Sequence, residues 1–159
     1  MLFGIPTSFA RAAFAAVILA ATLTGFSATT AQATTLSTRP SLASVQGPAH
    51  AVLVYGYAQL GKPYRMGGAG PSSFDCSGLA MRSWAAAGVR LAHYSGTQQH
   101  QGRPVPLSEL QPGDLVFWGH PAYHVAIYVG GGRILDAPHT GTVVQIRAIW
   151  ATPTNAVRP

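Results

Sequence analysis

Hydrophobic and polar positions change rhythm near residue 100 of the chain. Before that point apolar residues recur at helical spacing; after it they alternate or run in short blocks. From Pro48 to Leu60 (PAHAVLVYGYAQL) the pattern is helical, with Pro at a tolerated early position and Gly61 ending it. Residues 62–74 (KPYRMGGAGPSSF) are broken by Gly and Pro into a shaped loop. Asp75 to Ala87 (DCSGLAMRSWAAA) predicts a second helix. Asp75 serves as its N-cap, Leu79, Trp84 and Ala87 share a buried side, and Gly88 takes the left-handed position past its end. Ser95 to Gly102 reads as a short polar helical piece, and residues 107–114 as a turn that feeds a strand.

The remainder predicts strands. Leu115 to Trp118 is a short one. His124 to Val129 alternates, with His124, Ala126 and Tyr128 on one face and Val125, Ile127 and Val129 on the other. Three glycines turn the chain, Arg133 to Ala137 returns, and Thr142 to Ile149 adds another strand. Helices first and antiparallel strands afterwards predict an α+β domain, its N-terminal helices packed on the sheet.

The first 33 residues follow a different logic. Arg11 precedes the apolar run Ala12 to Leu23, and Ala31-Gln32-Ala33 places small residues at both cleavage-site positions. That order predicts a secretory signal peptide over 1–33. The run is shorter than the roughly 20 apolar residues a bilayer span takes, so no stable membrane span is expected after processing. Residues 34–47, rich in Ser and Thr, read as a flexible lead-in, 48–152 as one domain and 153–159 as a C-terminal tail. The net charge is +6 with His neutral, and loss of Arg11 with the leader leaves +5. A cationic exported protein is drawn to polyanions such as anionic wall polymers or phospholipid surfaces. The charges are scattered, with no basic run to suggest nucleic acid.

There is one cysteine, so no internal disulfide can form. Cys76 falls in the first turn of the second helix, where unpaired amides and the helix dipole stabilise a thiolate, the nucleophilic form. The same amides can receive an oxyanion. The neighbouring carboxylate of Asp75 opposes the thiolate, so a base is needed. His124, on the polar face of its strand, is that candidate. The base in turn needs an orienting group. A two-residue turn at Gly131-Gly132 sets His139 opposite His124, and a three-residue loop at Val129 to Gly131 sets Asp136 there instead. A carboxylate is the better partner for imidazolium, which favours Asp136. His93 lies in a loop that substrate can reach. The six histidines lack metal-ligand spacing, and neither metal nor cofactor is expected.

Several of these segments together resemble the NlpC/p-sixty family. They are Gly61-Lys62-Pro63-Tyr64, Gly67-Gly68, Phe74-Asp75-Cys76-Ser77-Gly78-Leu79, the stretch from Leu110 to Phe117, that from His124 to Gly130, and Ala137-Pro138-His139-Thr140-Gly141. The resemblance implies a papain-like domain and a secreted, wall-associated cysteine endopeptidase. Its substrate would be the stem peptides of peptidoglycan, cut between γ-D-glutamate and the next diamino acid. By position, Cys76 matches the family nucleophile and His124 the base. Asp136, twelve residues after the base, matches the third catalytic position. Tyr64 matches a tyrosine that holds oxyanion or substrate. Asp75 and Ser77 match positions that contact the stem in some members, and His139 remains a substrate-side candidate. Met66 stands where Trp is common, and Ala92-His93-Tyr94 replaces a frequent Pro-Arg-Thr, which changes the groove. Two other readings fit the same scaffold: an amidase or acyltransferase on another acyl substrate, and a wall-binding protein without catalysis.

Overall fold

The computed structural model describes residues 41–159. The expected signal peptide, and residues 34–40 of the lead-in, lie outside them. Among the described residues three α-helices come first: α1 (Pro48–Tyr57), α2 (Cys76–Ala85) and the short α3 (Ser95–Gln98). Six strands follow: β1 (Arg103–Pro104), β2 (Leu115–Trp118), β3 (His124–Gly130), β4 (Arg133–Asp136), β5 (Gln145–Ala148) and β6 (Asn155–Arg158). They form one antiparallel sheet in the order β1-β6-β2-β3-β4-β5.

The alternation along β3 sorts two cores. Val125, Ile127 and Val129 join Leu115, Phe117 and Leu135 beneath Val52 and Leu53 of α1 and Leu79 and Trp84 of α2. The other sheet face carries a smaller cluster of Val116, Trp118, Ala126, Ile134 and Ala156. This division is the period-two rule acting on a sheet covered by helices on one side. Helix α1 passes so close to β4 that a Cβ at Gly56 would lie 2.4 Å from Leu135 Cδ2.

Two expectations are corrected at the chain's ends. Residues 153–159 are not a tail: β6 lies inside the sheet, pairing with both β1 and β2. Arg158 anchors it through Nε to Asp114 Oδ1 at 2.7 Å and Nη2 to Asp114 Oδ2 at 2.8 Å. The end of the lead-in is likewise packed rather than free. Val45 is buried in the larger core and Leu42 leans on it, joined by a turn from Val45 N–H to Leu42 O.

The β3–β4 turn is the two-residue one at Gly131-Gly132, pairing Gly130 with Arg133, but the register shifts by one residue before it, so His139 does not come opposite His124. Ile127 faces Leu135 and Tyr128 faces Ile134, with an irregularity before the Gly130–Arg133 pair. Continued along the strands, this register sets Asp136 beside Ala126, two residues from His124 on the same face. That diagonal distance is within reach of paired side chains.

Candidate active site

Helix α2 presents Cys76 through an elaborate N-terminus. Asp75 caps it, Oδ1 accepting the Gly78 N–H at 2.7 Å. The same oxygen accepts from Ser77 Oγ at 3.1 Å and meets His93 Nε2 at 2.9 Å. Oδ2 accepts the Gly67 N–H at 2.7 Å. One buried carboxylate therefore ties together the helix start, the glycine loop and the loop before α3. Asp75 and Ser77 were expected to meet substrate. Both line the groove around Cys76, and both are buried and engaged internally.

Gly78 is required by close approach. A Cβ there would lie 2.1 Å from Gly68 O and 2.8 Å from His93 Nε2. Gly78→Ala must push the glycine loop off the helix. The expected cost is about 1–3 kcal/mol, read as a lower melting temperature, with a loss of Cys76 reactivity because the groove wall moves.

The thiol is half-buried. Burial pushes its ionisation above the ordinary thiol range, and Asp75 adds to that rise, while the backbone N–H groups of Val125, Ser77 and Cys76 pull the other way. Desolvation thus outweighs the helix amides, contrary to the thiolate stabilisation expected from position alone. A thiol that holds its proton at neutral pH needs a base at the moment of attack. The rate of Cys76 alkylation by iodoacetamide should therefore rise with pH through a midpoint above that of an unstructured cysteine. A plateau already reached below neutrality would contradict this.

The His124 ring is held firmly. His124 Nε2 meets Asp136 Oδ2 at 3.1 Å, with the His124 side chain 8% exposed and that of Asp136 fully buried. Nε2 donates there, which leaves Nδ1 as the nitrogen with a lone pair for the thiol proton. The ring is walled by Trp118 (centroids 5.6 Å) and Trp150 (5.5 Å, edge-on), which stack on each other at 4.1 Å. Cys76 packs against the larger core, and the Val125 amide that acts on its sulfur belongs to the residue after His124.

Arg147 was not foreseen. Its Nε donates to Asp136 Oδ1 at 3.2 Å and Oδ2 at 3.1 Å, Nη2 donates to Oδ2, and the guanidinium lies 3.9 Å from the Trp150 ring centroid. Asp136 pairs with Gln145 across β4–β5, so Arg147 is two residues along on the same face. A lone Arg in the alternating run Val144-Gln145-Ile146-Arg147 was the available signal. Asp136, rather than His139, is thus the group bonded to the His124 ring. His139 is exposed, its Nδ1 bonded to Thr140 O at 2.9 Å, and it lines a neighbouring hollow with His124.

Tyr64 lines the Cys76 groove. Burial first, then Cys76 and Asp75, raise its ionisation above the usual phenol range, so the hydroxyl stays a donor. Among the described residues it donates to Met66 Sδ at 3.8 Å, a weak acceptor that an oxyanion would displace. His93, given only as a loop residue within reach of substrate, proves to be the side-chain partner of Asp75. His50, His100 and His120 are exposed.

A helix-borne cysteine against the backbone of the residue that follows a strand-borne His, itself paired with Asp, on an α+β scaffold defines a papain-like arrangement. The NlpC/P60 family model matches residues 61–156, and the chain belongs to that family. It is 41% identical over 112 residues to the peptidoglycan endopeptidase RipA of Mycolicibacterium smegmatis, across 62% of this chain and 22% of that protein. It is 35% identical over 112 residues to the γ-D-glutamyl-L-lysine dipeptidyl-peptidase of Bacillus subtilis, across 67% of this chain and 38% of that protein. The chain therefore spans only about a fifth to two fifths of these relatives' lengths. Among solved structures, the NlpC/p60 domain of the peptidoglycan hydrolase SagA matches with a TM-score of 0.66 and 36% identity, covering 70% of this chain and 98% of that one.

Proposed function

We propose that the chain is a secreted, wall-associated peptidoglycan hydrolase, a cysteine endopeptidase that cuts stem peptides between γ-D-glutamate and the following diamino acid. The single observation that carries it is the buried His124–Asp136 pair set beside a cysteine at a helix N-terminus. The relatives' names, RipA and the γ-D-glutamyl-L-lysine dipeptidyl-peptidase, support the substrate and bond.

In the reaction, His124 Nδ1 takes the Cys76 proton as sulfur attacks the carbonyl carbon. The N–H groups of Cys76 and Ser77, with the Tyr64 hydroxyl, receive the oxyanion. The tetrahedral adduct collapses, the C–N bond breaks, and imidazolium returns its proton to the leaving amine. Water, deprotonated by the same ring, then attacks the thioester, releasing the acid and the thiol. Asp136 holds the ring tautomer throughout.

The test is incubation of the form starting at Thr34 with L-Ala-γ-D-Glu-diaminopimelate, followed by mass spectrometry. Release of L-Ala-D-Glu and free diaminopimelate supports the proposal. Intact peptide from a folded protein whose Cys76 still alkylates would move the activity to another acyl substrate.

A further inference from the structure

Beside the groove that holds Cys76 lies a second hollow of about 250 Å³, lined by Tyr123, His124, Pro138, His139, Arg147 and Trp150. Tyr123 borders both hollows. Cys76 lines only the first and His124 only the second. The carbonyl carbon under attack must sit at Cys76, and the departing amine must take its proton from His124. The two hollows thus divide the substrate at the bond that breaks, with the leaving portion in the second.

The chemistry of that second hollow is cationic. Arg147 is the charged side chain that lines it, 32% exposed, while its partner Asp136 is fully buried behind it. Among the described residues no acidic one lines the hollow. Arg147 uses its Nε–H and one Nη2–H on Asp136. A guanidinium has five N–H donors, so the pair on Nη1 and the second on Nη2 remain for a ligand. Stacking on Trp150 fixes the plane of the guanidinium. Oriented, partly desolvated guanidinium donors of this kind recognise carboxylate.

Resting on the peptidase reading above, we propose that this hollow is the leaving-group subsite and that Arg147 selects a carboxylate on the departing amino acid. Two carboxylates of that residue qualify, the α-carboxylate of a tripeptide stem and the side-chain carboxylate of a diamino diacid. A stem ending in lysine carries only the first.

The test measures kcat/KM for L-Ala-γ-D-Glu-diaminopimelate, its α-amide, its side-chain amide and its diamide, and for the lysine tripeptide. The expected result is a fall of about 10-fold or more from the diacid to the diamide, the size of one charge-assisted hydrogen-bonded contact. The mono-amides and the lysine stem show which carboxylate is read. In Arg147→Gln this ratio should collapse towards one, whatever the absolute rate, and Arg147→Lys should keep part of it. Equal rates for diacid and diamide in the wild type would overturn the subsite while leaving the peptidase reading intact. An undiminished ratio in Arg147→Gln would overturn the role of Arg147. Failure to cut any stem would overturn the peptidase reading and the subsite with it. The wild-type series decides the subsite even where the variant does not fold.

Discussion

Cys76→Ala is expected to lower stem-peptide hydrolysis by about 10⁴-fold or more, because removal of a nucleophile leaves only the oxyanion donors and substrate binding. The fold should survive the change. The thiol is half-buried and contributes no side-chain bond on which the helix start depends. Asp75 caps α2 through Gly78 and Ser77, and the buried Leu79 and Trp84 hold the helix on the sheet. Circular dichroism and melting temperature should therefore stay close to wild type while product formation vanishes. Retained turnover would mean that another group attacks the substrate.

The second large effect is expected at Asp136. In Asp136→Asn the side chain keeps its shape but offers one oxygen in place of two. Arg147 and His124 both come to Asp136 as donors, and they would compete for that oxygen while the carboxamide N–H₂ faces one of them. The guanidinium, with several donors, wins the contact. His124 then loses its tautomer control and its stabilised imidazolium. A fall of about 10³–10⁴-fold in kcat is expected by the logic of a triad whose orienting carboxylate is neutralised. Because Asp136 is fully buried, a stability loss of about 1–3 kcal/mol accompanies it. The two effects separate experimentally: the kcat loss persists well below the variant's melting temperature.

The helices and the central strands were legible in the sequence because each carries a local signal. Helix α2 has its cap at Asp75 and its stop at Gly88, which takes a positive φ of 82°. Strand β3 has its alternation, and β2 is a short apolar block that lies within the sheet. Strand β6 lacked such a signal. Only Ala156 and Val157 are apolar there, between Asn155 and Arg158, and its place is set by distant partners in β2 and by Asp114. Strand β1 is two residues long and pairs with β6 alone, so it was invisible for the same reason.

At the site, the residue types were readable and their connections were not. Cys76, His124 and Asp136 stood out by chemistry and by resemblance. The rise in the Cys76 ionisation depends on how deeply the thiol is desolvated, a property of packing rather than of position on a helix. Asp75 reads as a simple N-cap, yet its partners Gly67 and His93 come from two separate loops. The register of β4 turned on an irregularity beside Gly130: the Gly130–Arg133 pairing continued unbroken would set Asp136 opposite Ile127, and the one-residue shift instead sets it beside Ala126, diagonal to His124 and in contact with it. Arg147 and Trp150 enclose the His124–Asp136 pair from β5 and just beyond it, across a pairing that no local pattern specifies.

Because the chain has a single cysteine, the central claim can be titrated directly. Partial alkylation with iodoacetamide, scored by intact mass, is followed on each sample by hydrolysis of L-Ala-γ-D-Glu-diaminopimelate. Residual activity should fall in a straight line with the unmodified fraction of Cys76 and reach zero when that fraction does. Hydrolysis that persists in fully alkylated protein would contradict Cys76 as the nucleophile.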